Sequence, residues 1–344
     1  MSPFQIDNRT FRRALLSLNG LAPPTGNDLL PSPTTDSGLA WVSGMVLRLG
    51  FVQIDSVAAT ERAHHHILFS RNRTYKQNQL KRLLEQERTL FENWTHDAAI
   101  IPSEFYPYWK HYFERAKNFE AHPGYRRYFA PVTQKDIDLI RKCIEKEGPL
   151  KPRDLNTRKV DWQDDYFQKP SIAKITMELL WRTGELAVCR RDGQTKVYDL
   201  AARVIPEKYF EAEVSREAYI DWACREALKR LGAGSPTQIA RFFDAASRED
   251  VAAWCDRQTN QDLMEVQVAH ADGAAGPKIL ALESVVQRLQ EFPEAPRALR
   301  LLNPFDPLIH DRQRTRSIFG FDYSIEIWVP PQKRKYGYYV LPIL

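Results

Sequence analysis

Two polar residues stand inside an apolar run close to residue 50 of the 344-residue chain. In the stretch FVQIDSV they are Gln53 and Asp55, and the side chains between and before them are apolar. A carboxylate there could act as a general base or stabilise a developing positive charge, and an amide could hold a water molecule. Because a buried carboxylate is costly unless it is paired or used, this pair is a candidate for chemistry.

The conformation of the backbone decides how this pair is presented. If the segment is extended, Gln53 and Asp55 share one face, and Ile54 points the opposite way into the core. The alternative is that Asp55 caps a helix that begins in SVAATERAHHHI, while Gln53 satisfies a backbone group. The spacing leaves both interpretations open.

Three consecutive histidines follow, namely His64, His65 and His66. Successive residues point about 100° apart on a helix and alternate on a strand, so three adjacent rings do not converge easily on one ion. No spacing typical of a metal motif accompanies them. We therefore expect no metal and no other cofactor. Contact of one ring, assigned to His65, with a phosphate remains open, and so does simple packing.

Cations are concentrated towards the two ends of the chain. Residues 1–132 carry 16 Lys+Arg against 12 Asp+Glu, and residues 294–344 carry 8 against 5, whereas residues 133–293 carry 25 against 27. This distribution favours contact of both ends with a polyanion, with a merely solvated surface as the alternative. The candidate phosphate contacts are Arg62, Arg71 and Arg73, then Arg312, Arg314 and Arg316 in DRQRTR, and finally the run Lys333, Arg334 and Lys335. Either C-terminal cluster would suit a β-hairpin that grips a nucleic acid.

The elements that must position these residues form a repeated module. A helix, a short helix, a third helix and a hairpin are predicted in residues 132–212, with Ser171 as a helix cap and Asp192-Gly193 as a hairpin turn. The same order is predicted in residues 213–293, with a helix start at Gly234-Ser235-Pro236. This pattern is typical of a winged helix-turn-helix.

The rest of the chain completes an α+β fold. Residues 1–131 are interpreted as a third winged helix, which contains the Gln53–Asp55 strand and a Pro-rich stretch near SPTTDSG. Residues 294–344 alternate in period two and predict a small β-barrel. Its last strand, YYVLPIL, is either closed by neighbouring strands or part of an incomplete barrel.

Winged helices mostly bind nucleic acid, but the fold alone does not fix a function. The third helix of residues 132–212 carries only Lys174 and Arg182 as cations, and that of residues 213–293 has three acids in SREDVAAWCDRQ. We therefore expect these modules to act mainly as architecture. A non-catalytic winged-helix transcription regulator is the alternative function, but it would want a cationic recognition helix. A nuclease is a third possibility, but it usually needs clustered carboxylates to bind metal ions, and Asp55 has no evident acidic companion nearby in the sequence.

Location is indicated by what the sequence does not contain. No apolar run approaches the ~20 residues of a membrane span, and the first residues do not have the layout of a secretory signal. The four cysteines, Cys143, Cys189, Cys224 and Cys255, are isolated from one another. This spacing predicts free thiols in a reducing cytoplasm.

Several separated motifs occur in an order that resembles one family. QID, ILFSR, ENWTHDAAIIP, NPFDPLIHDR and YGYYVLPIL are similar to motifs of the AlkZ/YcaQ-type winged-helix DNA glycosylases. These bacterial enzymes excise alkylated purines and unhook DNA interstrand crosslinks. The resemblance implies tandem winged helices and a β-barrel arranged as a C around duplex DNA. Members carry Gln-x-Gln or Gln-x-Asp, and Gln53-Ile54-Asp55 is the second form, which is associated with the YcaQ-like branch.

The resemblance also implies roles for individual residues. Asp55 would stabilise the oxocarbenium ion and activate water, and Gln53 would hold that water or the sugar, without lyase chemistry. His96 would face the DNA, with a buried and satisfied histidine as the alternative. The expected partner is double-stranded DNA with alkylated or crosslinked purines, bound by a monomer in the cytoplasm and at the bacterial nucleoid.

Overall fold

The computed structural model describes residues 2–23, 38–121, 123–160, 170–259, 261–294 and 297–344 as a mixed α+β fold. Most of the Pro-rich stretch predicted before the second helix lies outside the described residues. The helices are α1 (Asn8–Leu18), α2 (Leu39–Leu49), α3 (Ala63–Arg71), α4 (Gln77–Glu85), α5 (Tyr106–Lys117), α6 (Pro123–Phe129), α7 (Gln134–Glu147), α8 (Ile172–Arg182), α9 (Ala201–Val204), α10 (Glu207–Phe210), α11 (Arg216–Leu231), α12 (Pro236–Phe243), α13 (Arg248–Gln258), α14 (Glu283–Gln287) and α15 (Arg312–Phe319). The strands are β1 (Phe4–Ile6), β2 (Val52–Gln53), β3 (Leu90–Trp94), β4 (Ala98–Pro102), β5 (Leu186–Asp192), β6 (Thr195–Leu200), β7 (Leu263–Ala269) and β8 (Ala275–Leu282).

The chain divides into two compact units. Unit 1 consists of residues 1–80, 95–100 and 217–344, and unit 2 consists of residues 81–94 and 101–216. The predicted module boundaries after residues 131, 212 and 293 stay predictions, because modules smaller than these units are not separated by the division. Within the described residues no helix is long and apolar enough to cross a bilayer.

Unit 2 contains the first of the two predicted modules in the expected order of elements. Helix α7 ends at Gly148, a short 3₁₀ helix spans Pro152–Asp154, and α8 is followed by the antiparallel pair β5–β6. The Ser171 side chain accepts the backbone N–H of Lys174, so the predicted helix cap is confirmed. Gly193 supplies the positive φ of +62° in the turn between β5 and β6.

Unit 1 contains the second module, again in the predicted order. Helix α12 begins at Pro236 with Ser235 as cap, and the Ser235 and Gln238 side chains accept each other's backbone N–H groups in a capping box. Strands β7 and β8 form the hairpin, and β1 adds a parallel strand along the outer edge of β7. The core of this unit brings α1 against the sheet and against apolar residues of the C-terminal segment.

The described part of residues 294–344 does not form the β element predicted there. Among the described residues of this segment there is helix α15, a 3₁₀ helix at Pro331–Lys333 and only an isolated bridge between Leu301 and Ile343. The cluster DRQRTR therefore lies at a helix start, and the expectation of a β-hairpin was wrong for it and for Lys333–Lys335. Backbone N–H groups that a neighbouring strand would bind are bound here by a side chain, because the Glu326 carboxylate accepts three of them.

The four cysteines are free, as the sequence predicted. Cys189, Cys224 and Cys255 are buried, and burial raises the pKa of the Cys255 thiol to about 11. A thiol with such a raised pKa stays protonated and packs as a small apolar group.

Candidate active site

The Gln53–Asp55 segment begins as a strand and then leaves the sheet. Val52 and Gln53 pair antiparallel with Ile100 and Ala99, and the Ile54 N–H donates to the carbonyl of Ala98 at 2.8 Å. Beyond Ile54 the backbone follows an irregular path to α3. The pairing places the Thr95–Asp97 turn, which precedes β4, beside the Gln53 side chain.

The Gln53 amide is fixed at both of its polar atoms. The side chain is 2% exposed, its Nε2 donates to Asp97 Oδ2 at 3.2 Å, and its Oε1 accepts from His96 Nε2 at 3.2 Å. Ile54 is only half-buried, so the predicted orientation, with Ile54 in the core, was wrong. An amide tolerates this burial because both ends are hydrogen-bonded. Beyond these two bonds, one N–H and one lone pair of the amide can serve a water molecule or a sugar.

His96 holds Gln53 from the turn that precedes β4. Burial, and then the neighbouring His310, lowers the pKa of His96 to about 3, so its imidazole is neutral and Nε2 can carry the proton given to Gln53. The ring centroids of His96 and His310 are 4.1 Å apart, and the Phe51 ring meets His96 edge-on at 5.3 Å. The ring is half-buried, with its Nε2 satisfied by Gln53, and contact of His96 with DNA stays a prediction.

Asp55 is half-buried and does not cap a helix. Its Oδ1 accepts the backbone N–H of Val57 within a turn, whereas α3 begins at Ala63 with Arg62 in the cap position. The capping interpretation was therefore wrong. Burial raises the pKa of Asp55, and the Val57 hydrogen bond offsets only part of this effect. A desolvated carboxylate is a stronger base than an exposed one and a stronger electrostatic partner for a cation.

Tyr339 in the C-terminal segment interacts with the charge of Asp55, and Asn303 binds the Tyr339 hydroxyl; both residues were missed in the sequence. Asn303, fully buried, donates from Nδ2 to the Tyr339 hydroxyl at 3.2 Å. Burial raises the pKa of Tyr339, and the negative charge of Asp55 raises it further, against the hydrogen bond from Asn303. Both residues lie within the motifs NPFDPLIHDR and YGYYVLPIL, which was the only signal that marked them.

A cavity of about 250 Å³ lies on the His310 side of this arrangement. Its walls include Phe51, Phe242, Arg241, Pro307 and His310. Arg312, Arg314 and Asp311 line it as well, so aromatic rings, three arginines and one carboxylate surround a space that shares Phe51 with the packing of His96. His310, like Asn303, was not singled out from the sequence.

A family model of the AlkZ-like DNA glycosylases matches residues 46–344. This chain belongs to the AlkZ-like DNA glycosylase family. The matched range contains Gln53, Asp55 and all the residues described around them. The structure is also similar to that of the Streptomyces sahachiroi DNA glycosylase AlkZ, with a TM-score of 0.64 and 14% sequence identity over 99% of this chain and 86% of that chain. At this identity the likeness shows a shared fold.

Two arginines that we predicted to contact DNA are instead used inside the glycosylase. The Arg71 side chain is fully buried and donates to both carboxylate oxygens of Asp306 at 2.6 and 3.0 Å. Arg314 donates to the backbone carbonyls of Ala233 and Leu231, and burial lowers its pKa to about 10. The expectation of phosphate contacts at these positions is corrected, because their guanidinium groups are satisfied within the fold.

The remaining predicted DNA contacts differ in how accessible they are. Arg73 and Arg316 are exposed, and Arg62 is half-buried at the start of α3. Arg312 donates to two backbone carbonyls and stacks over Tyr323, so its guanidinium is largely engaged. Arg300, missed in the sequence, lies close enough to Arg73 for that charge to contribute to lowering its pKa, after burial and Arg71. Two neighbouring guanidinium groups, those of Arg73 and Arg300, could bind an anion such as a phosphate.

The histidine run lies on α3, where the ring centroids of His64 and His65 are 4.1 Å apart. His65 Nδ1 is 2.7 Å from the Tyr75 hydroxyl, and burial lowers the pKa of His65 to about 4. His64 and His66 are buried on the same helix. In the described part of the chain no three His, Cys, Asp or Glu residues are grouped as metal ligands. His65 is half-buried and hydrogen-bonded to Tyr75, and its contact with a phosphate stays a prediction.

We expect the folded state of the glycosylase to lose stability as the pH falls below about 6.5, the ordinary pKa of histidine. The pKa of His96 is lowered to about 3 and that of His65 to about 4, so below pH 6.5 the unfolded chain binds protons that the folded chain does not. Each histidine then costs at most about 1.4 kcal/mol per pH unit, down to its folded pKa. Urea unfolding at pH 7, 6 and 5 measures this loss.

The matched variant is His96→Gln, because glutamine can still donate to the Gln53 carbonyl but does not titrate. Its stability should fall less steeply between pH 6.5 and 5 than that of the wild type. Equal slopes for the two proteins would contradict the assignment of this pH dependence to His96.

Proposed function

We propose that this DNA glycosylase hydrolyses the N-glycosidic bond of N7-alkylated purines and unhooks DNA interstrand crosslinks, as a Gln-x-Asp member of its family. The observation that carries the proposal is the pairing of a desolvated carboxylate, Asp55, with an amide two residues away that is fixed by His96 and Asp97. Fixed polar groups of this kind stabilise developing charge without having to reorganise during the reaction.

The reaction needs little from the protein at the leaving base. A purine alkylated at N7 carries a positive charge, so it departs with the bonding electrons as a neutral base and no general acid is required. The sugar becomes an oxocarbenium ion, and an anion close to it lowers the barrier. Asp55 supplies that anion, and then accepts the proton of the water whose oxygen bonds to the anomeric carbon. The raised pKa of Asp55 makes it a better proton acceptor.

Gln53 would position the water or the sugar. Its amide direction is determined by donation from His96 to Oε1 and by donation from Nε2 to Asp97, which leaves the second N–H and second lone pair for the reactants. We assign His96 the role of a positioning residue, because it acts through Gln53. No lysine nucleophile enters this scheme, so the proposed enzyme is monofunctional and leaves an abasic site.

The accessible cations would hold the DNA backbone. Arg73 and Arg316 are exposed on unit 1, and the half-buried Arg62 precedes the first residue of α3. We further propose that the two modules of α7–β6 and α11–β8 are winged helices that brace these contacts, and that the protein binds damaged duplex DNA as a monomer. The order of their elements supports this interpretation.

The substrate class is tested with a duplex that carries one N7-alkylguanine, and in parallel with a duplex that carries an N7-linked interstrand crosslink. We expect strand breaks after alkali treatment but not before it, since hydrolysis without lyase chemistry leaves an intact abasic strand. EDTA should not change the yield, because the proposed chemistry uses water and a carboxylate. An undamaged duplex is the control. Activity that is lost in EDTA and restored by zinc or magnesium would contradict this mechanism.

A further inference from the structure

One surface of unit 1 presents several aromatic side chains to solvent. We call residues 326–338 the tryptophan loop. Trp328 in this loop is 88% exposed, the highest exposure among the large apolar side chains of the described residues, and Tyr336 and Tyr338 are 45% and 49% exposed. A side chain that could bury 150–250 Å² is therefore presented almost completely to solvent.

The tryptophan loop holds its shape without belonging to a sheet. The Glu326 carboxylate is buried and accepts the backbone N–H groups of Lys335, Tyr336 and Gly337 at 2.8, 2.8 and 3.0 Å. These bonds lower the pKa of Glu326, so the carboxylate stays charged and keeps its three donors. The two arms of the loop are thereby joined at its base.

The tip of the loop is also fixed. The Val329 N–H donates to the Glu326 carbonyl at 3.0 Å, which closes a turn with Trp328 in its third position. Two prolines follow, and Arg334 Nε donates to the Val329 carbonyl at 2.8 Å. The exposure of Trp328 is consequently a property of an ordered turn, and its ring needs little further ordering to bind a planar ligand.

The charges of the loop favour a polyanion as the ligand. Lys333, Arg334 and Lys335 follow one another, and the one acid within residues 326–338, Glu326, is buried at the base. The Lys335 ammonium lies 4.7 Å from the centre of the Tyr336 ring, and the Arg334 guanidinium lies 5.1 Å from that of Tyr338. Cations and aromatic rings thus share one surface, as in proteins that stack bases and neutralise the phosphates between them.

We propose that the tryptophan loop binds an unstacked base of DNA, with Trp328 stacked on the base and Lys333 and Lys335 on its flanking phosphates. The proposal rests on DNA being the substrate and adds a recognition element to it, because a damaged or crosslinked duplex offers bases that have lost their stacking partner. A polyanion suits the loop better than a protein partner, since three consecutive cations face one acid that is already bonded at the base.

The test compares the full-length variants Trp328→Ala and Trp328→Phe in binding a fluorescent single-stranded oligonucleotide and a fully paired duplex. Trp328→Ala should bind the single strand about 10- to 100-fold more weakly, because base–aromatic stacking is lost. Trp328→Phe should keep most of the affinity, and the paired duplex should respond less than the single strand. The control is Phe4→Ala, which removes an exposed aromatic ring from β1 and should change neither affinity.

A second variant examines the charges. Lys333→Ala with Lys335→Ala should flatten the dependence of log Kd on log salt by about 1.4 for the single strand, as expected for two phosphate contacts. Unchanged single-strand affinity in Trp328→Ala, or equal losses in Trp328→Ala and Trp328→Phe, would overturn the proposal. Loss of self-association in Trp328→Ala without any change in DNA affinity would also overturn it, in favour of a second copy as partner. These binding results stand whether or not the wild-type protein releases N7-alkylguanine, so the two proposals can fail separately.

Discussion

Asp55→Asn should slow base excision by about 10²- to 10⁴-fold, which is about 3–5 kcal/mol of activation free energy. Asparagine keeps the size of the side chain and an oxygen that can accept the Val57 N–H, but it removes the negative charge and the proton acceptor. Since the carboxylate is partly desolvated, its charge acts on the oxocarbenium ion more strongly than that of a fully exposed aspartate would. Single-turnover rates on the N7-alkylguanine duplex, with enzyme in excess, measure the effect.

The stability of the same variant separates catalysis from structure. Because burial raises the pKa of Asp55 above its unfolded value, ionisation of this carboxylate opposes folding at neutral pH, so Asp55→Asn should melt at the same temperature as the wild type or higher. The wild-type rate should fall as the pH is lowered through this raised pKa, since the carboxylate becomes protonated. A variant that is less stable yet fully active per folded molecule would contradict the catalytic role.

Asp306→Ala should destabilise the fold by about 3–5 kcal/mol, because it leaves the Arg71 guanidinium buried without its carboxylate. Both side chains are 0% exposed, so water cannot take the place of the lost partner. Asp306 also accepts the backbone N–H of Leu308 through Oδ1, and that bond is lost with it. Urea unfolding at neutral pH gives the change in the free energy of unfolding.

The control is Arg73→Ala, two residues from Arg71 and exposed, which should stay within about 0.5 kcal/mol of the wild type. The double variant Arg71→Met with Asp306→Leu removes both charges and should recover most of the stability lost in Asp306→Ala. If Asp306→Ala costs no more than Arg73→Ala, the buried pair does not contribute as described.

The local features of the fold could be predicted because their signals are local. Ser171 and Ser235-Pro236 begin helices where the sequence placed them, and Gly193 occupies the predicted turn. The caps and turns are determined by backbone groups within four residues, so a short window of sequence contains the whole argument. The catalytic roles predicted for Gln53 and Asp55 came from the family motifs and not from such local signals.

The roles of the arginines could not be predicted because their partners are distant. Arg71 and Arg73 look alike in the sequence, yet one meets a carboxylate 235 residues away and the other is exposed. His310 reaches His96 by the same kind of long-range contact. The failed β prediction at the C-terminus has a related cause. Alternating apolar residues indicate which side chains are buried, but they do not show which groups bind the backbone. Here the Glu326 carboxylate accepts three backbone N–H groups in place of a neighbouring strand.

The discontinuity of unit 1 has a consequence for how the protein is made. Strand β1 is synthesised long before its partner β7, which begins at Leu263, and the Gln5 amide contacts Gln267, 262 residues later. Asp306 is synthesised 235 residues after Arg71, which at about 5–20 residues per second is roughly 10–50 s of translation. The residues of unit 2, in contrast, have all been synthesised by position 216. A nascent chain stalled between residues 216 and 263 would contain Arg71 without Asp306 and β1 without β7. Such a chain would be a target for chaperones and proteases.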